Sequence, residues 1–113
     1  VDARLKQLLP FGLPNKYGLA PEARYCIVAP THARFTYFAT QYMEGSQHIP
    51  SFVPEGDPSK LRGIGPSSRV LLVSDVISVD SALEAELRYL NATGVSVHYW
   101  NEINEMALPV RFD

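Results

Sequence analysis

Hydrophobic and polar positions along this chain switch between two periods, and each switch marks an element. Arg24 to Ala29 is a short, almost continuous apolar run, as expected for a strand covered on both faces in a parallel sheet. Pro30 stops it and Thr31 is a candidate N-cap. Phe35, Phe38, Ala39 and Tyr42 then fall at helical spacing, and Gly45 is expected to close that helix as the residue just past its cap. His48 to Val53 reads as a second, short strand held at an edge by Pro50 and Pro54. Glu55 to Ser68 reads as loop, with one helical turn at Ser59-Lys60-Leu61. Arg69 to Val73 is the strongest strand signal.

A second helix is expected from Asp80 to Asn91, with Ser81 and Glu84 as a capping box and Leu83, Leu87 and Leu90 as its buried stripe. Gly94 ends it. Val95, Val97 and Tyr99 then alternate with Ser96, His98 and Trp100, the period of a strand. Leu108 to Phe112 is a candidate edge strand. Ahead of all this, the first 23 residues hold Pro10, Pro14, Pro21, Gly12 and Gly18 and predict an irregular lead-in with one short helix, Ala3 to Leu9. Leu5, Leu8, Leu9, Phe11 and Leu13 make it too apolar for a free tail, so it should lie across the domain. The order β-α-β-β-α-β predicts one α/β domain over residues 1–113, a three-layer Rossmann-like sandwich with a small, mostly parallel sheet of four to five strands.

Composition narrows the function classes. Apolar residues make up 46% of the 113 and charged residues 19%, as in an ordinary globular domain. The formal net charge is −2, and no run of Lys or Arg forms a basic arm, which argues against strong, sequence-independent DNA binding. Cys26 is the single cysteine, within an apolar run, and reads as a buried thiol; no Cys/His spacing suggests zinc, and no metal or cofactor is expected. No apolar stretch approaches the roughly 20 residues of a membrane span. With no signal peptide evident, the expectation is a cytoplasmic domain without membrane contact, and Asn91-Ala92-Thr93 reads as a helix end rather than a glycan acceptor.

In open α/β sheets ligands bind beyond the carboxyl ends of the strands. That rule selects the loop Pro30-Thr31-His32-Ala33-Arg34 and the loop from Ser74 through Asp75 and Ser78 to Ser81. The candidate rim is therefore Thr31, His32, Arg34, Asp75 and Ser78, with Arg62 from the long loop joining. An anion or nucleic-acid phosphate would lodge at Thr31 to Arg34, where backbone N–H groups and Arg34 coincide. Each residue also has a plainer role: His32 and Arg34 as solvated first-turn residues, Asp75 and Asp80 as carboxylates that the helix dipole favours. A Ser78-His32-Asp75 triad lacks a G-x-S-x-G elbow. Neither G-x-x-x-x-G-K-[ST] nor G-x-G-x-x-G occurs, and Gly63 and Gly65 lie outside any strand-to-helix turn.

Ile27-Val28-Ala29-Pro30-Thr31 followed by a helix resembles the A-P-T junction of helicase and phage-terminase ATPase domains. Leu61-Arg62-Gly63 and Val70-Leu71-Leu72-Val73-Ser74-Asp75 resemble the loop and acidic strand that follow there, so the likeness spans roughly residues 25 to 76. It implies that the Thr31 junction touches a nucleic-acid backbone and that Asp75 belongs to a metal-holding strand. The Walker A lysine loop is absent, however, and Val76 stands where the family has Glu, so ATP chemistry would be lost. Val70 to Ile77 is also similar to the ribose-binding strand of phosphoribosyltransferases, without the second acid (Ser74 stands there) or the phosphate-wrapping Gly and Thr near Asp80 and Ser81. These readings lead to a non-catalytic accessory or interaction module, phage or viral and nucleic-acid associated. The alternative is a small ligand-binding protein or enzyme using the rim. The expected partner is another protein or a second copy, since Trp100 and His98 would form an aromatic face on the last strand.

Overall fold

The computed structural model describes residues 14–74 and 81–112. Within them β1 (Arg24–Ala29), α1 (His32–Tyr42), β2 (Ser51–Pro54), a 3-10 turn (Pro58–Leu61), β3 (Ser68–Leu72), α2 (Ser81–Ala92), β4 (Ser96–Asn101) and β5 (Met106–Pro109) follow in order. The five strands form one sheet in the order β2-β1-β3-β4-β5. Neighbours from β2 to β4 run parallel, and β5 returns antiparallel against β4. The expected mostly parallel α/β sheet is what the chain builds.

Alternation along the strands feeds two cores. Tyr25, Ile27, Leu71, Val73 and Trp100 face one side, where Phe38 and Met43 from the α1 end of the chain cover them. Val28, Val53, Val70 and Val97 face the other, beneath Leu83, Leu87 and Leu90 of α2 and Leu61 of the 3-10 turn. The helices thus lie on opposite faces, giving three layers. Phe38 is fully buried, with Phe35 and Tyr42 packed beside it, as the helical stripe requires. Burying one such side chain contributes about 1.5–3 kcal/mol.

Three boundaries and the exposure of one residue differ from the sequence reading. Thr31 caps α1, but the helix ends on Met43, whose N–H donates to the Ala39 carbonyl, so Gly45 lies beyond the closing position. Ser81 is the first residue of α2 and so sits inside its first turn, while the position before it is outside the described residues; Glu84 pairs with Arg88 one turn on. The edge strand runs over Met106–Pro109, with Val110 N–H still donating to the Val97 carbonyl, and so starts two residues before the expected Leu108 to Phe112, because Asn101 Oδ1 accepts the Asn104 N–H and folds the chain back at once. Trp100 is not on an exposed face. It is 6% exposed, its ring 4.5 Å from Tyr42 and 4.8 Å from Phe38, and β5 covers its strand.

Gly94 does end α2. At φ 96° it lets its N–H reach the Asn91 carbonyl while the Val95 N–H reaches Leu90, a Schellman closure with Leu90 and Val95 in the same core. Residues 14–23 pack on the α1 side, with Leu19, Ala20 and Ala23 buried, while Leu5, Leu8, Leu9, Phe11 and Leu13 lie outside the described residues. Asn15 Oδ1 accepts from the N–H groups of Tyr17 and Leu19, and the Tyr25 hydroxyl accepts from Ala20. Tyr17 O takes the Ala107 N–H, so this segment also caps the outer edge of β5. The expected helix Ala3 to Leu9 lies outside the described residues.

Candidate functional site

The strand order places the candidate rim. From β1 the chain steps to β2 on one side, then returns to β3 on the other, so the direction of winding reverses between β1 and β3. These strands are parallel neighbours, with Val28 opposite Leu72 and the Val73 N–H donating to the Val28 carbonyl. Their carboxyl ends open at the reversal point, where α/β sheets bind ligands. The two loops chosen from sequence are therefore adjacent at their starts. Asp75 and Ser78 lie outside the described residues.

Thr31 sits in extended backbone, and its Oγ1 accepts the Arg34 N–H at 3.1 Å, while its carbonyl accepts from Phe35. The helix start is thus partly satisfied from within, and fewer N–H groups remain than the bare sequence suggested. His32 is exposed. Its ring is 5.4 Å from Phe52 on β2 and 5.6 Å from Phe35, and its Nδ1 lies 3.4 Å from the Thr36 hydroxyl.

Arg34 turns the other way. Its Nη2 donates to Glu102 Oε2 at 3.0 Å, and its guanidinium lies 5.9 Å from the Tyr37 ring centroid. Glu102 follows β4, and β3 separates β4 from β1, so this ion pair spans the carboxyl end of β3. His32 and Arg34 diverge toward opposite sides of β1. Arg62 does not join them. Its Nε donates to Glu86 Oε1 of α2 at 2.9 Å, on the face opposite α1. There it lines an open groove of about 500 Å³ with Gly63, Ala85, Glu86 and Tyr89.

The carboxylates at the far side of the rim escaped the sequence reading. Glu102 and Glu105 both come from the β4–β5 turn, and Glu105 Oε2 accepts the Tyr42 hydroxyl at 2.9 Å. Burial, that hydrogen bond and the nearby charges of Glu105 and Glu102 push the Tyr42 phenol up to about 12. No local pattern announces either contact, because their partners are 68 and 63 residues away. The available signal was topological: a turn that leaves the carboxyl end of a parallel strand lies on the ligand-binding edge.

Elsewhere, burial raises the Cys26 thiol, which keeps it protonated and a poor nucleophile. Among the described residues no group of three or more His, Cys, Asp or Glu side chains could hold a metal ion. No described helix is long and apolar enough to cross a membrane. No family model, no curated protein and no solved structure matches this chain.

Proposed function

We propose that this domain is a non-catalytic accessory or interaction module. The observation that carries the reading is the Arg34–Glu102 pair across the end of β3, which engages the rim's arginine with a carboxylate of the same chain. An anion arriving there competes with Glu102, and neither His32 nor Arg62 stands beside Arg34 to assist. The surface around the pair suits protein contact better. Tyr37 is 54% exposed on α1 and Ile103 93% exposed at the hairpin tip, and aromatic and arginine side chains are the residues that interfaces favour. The likeness to helicase and terminase sheets supports a role beside nucleic acid, as an accessory rather than a motor, and a phage or viral setting. The partner is another protein in preference to a second copy, because the aromatic face that argued for self-pairing is Trp100, a core residue.

The second reading, a small ligand-binding protein or enzyme, is favoured by one observation, the position of Thr31 to Arg34 at the reversal point of the sheet. A titration separates the two. Wild type, Arg34→Ala and Glu102→Gln are titrated with phosphate, nucleotides and short single-stranded DNA at two salt concentrations, with amide shifts as readout. ATP and GTP turnover is followed in parallel. The interaction-module reading expects no saturable shift at Thr31 to Arg34 in the millimolar range and no turnover. Saturable binding that Arg34→Ala abolishes and Glu102→Gln strengthens, or magnesium-dependent turnover lost in Asp75→Ala, would establish the second reading instead.

A further inference from the structure

We draw no further inference here: the strongest candidate, the apolar surface patch of Tyr99, Met106 and Leu108 on the α2 side of β4 and β5, carries nothing because nothing in the structure shows what covers it.

Discussion

His98 and Tyr42 are single residues that tie the fold to pH in opposite directions. The imidazole of His98 is held below its ordinary 6.5, first by burial and then by the positive charge of Arg69 on the neighbouring strand. Its Nδ1 is buried without a hydrogen-bond partner among the described residues, so a proton added there meets no acceptor among them. The unfolded chain takes up that proton near 6.5 and the folded chain only at lower pH. The His98 contribution is therefore intact above 6.5 and is lost as pH falls from 6.5 toward the depressed folded value. Denaturant unfolding of wild type and His98→Gln across this window should give a steeper loss for wild type; parallel curves would refute the assignment. Tyr42 works at the other end. Its phenol ionises near 10 when unfolded and at about 12 when folded, so its contribution is present below 10 and lost as pH rises toward 12. Tyr42→Phe removes the bond to Glu105, should cost about 0.5–1.5 kcal/mol at neutral pH, and should flatten the alkaline limb.

At the scale of elements, two glycines that look alike in the sequence behave differently. Gly94 holds φ 96° in the closure of α2, whereas Gly45 has ordinary backbone and lies past the end of α1. A Cβ at Gly94 has room, with Pro66 Cγ nearest at 4.0 Å, so the cost of Gly94→Ala is torsional, about 1–2 kcal/mol. Gly45→Ala meets nothing within 4 Å and should be neutral or slightly stabilising. Thermal melts of both variants check the contrast, and equal losses would contradict it. Core-facing positions such as Phe38, Leu83, Leu87 and Leu90 follow from periodicity, because one buried face imposes one spacing. The end of α1 does not, because the chain can leave a helix through Met43 without any glycine. The start of the last strand is hidden for a similar reason: the apolar run begins at Leu108, whereas the turn is set by the Asn104 N–H bond to Asn101 Oδ1, which leaves no mark in that pattern. At the rim, Thr31 is legible as a cap, and the carboxyl ends of β1 and β3 are neighbours. The Glu102 partner of Arg34 is not legible, since only the closed sheet brings residues so far apart in sequence together.

The whole molecule depends on how its sheet edges are closed. β2 is short, with Pro50 just ahead of it and Pro54 as its last residue, both of which discourage further pairing. β5 is protected differently. The lead-in places Tyr17 O on the Ala107 N–H, and the chain can press that close only because Gly18 follows at φ 75°. A Cβ at Gly18 would lie 2.8 Å from the Ala107 carbonyl oxygen, a backbone atom that cannot move aside without disturbing β5. The same segment carries Leu19, Ala20 and Ala23 into the core that holds Trp100 and Phe38. Gly18→Val combines this clash with a β-branched residue in left-handed backbone. It should therefore lift the segment locally, costing more than about 2 kcal/mol from backbone strain and lost packing. Two consequences follow together: the β5 edge loses its cap, and apolar surface over Trp100 opens. Wild type is expected to remain monomeric at high micromolar concentration in light scattering, with slow hydrogen exchange at Ala107. Gly18→Val should exchange faster at Ala107 and show concentration-dependent association while retaining its helical circular dichroism. Faster exchange without association would mean that β5 is safe uncapped. A wild-type dimer would mean that the molecule pairs through a surface other than the Trp100 face, because that face is already used inside the fold.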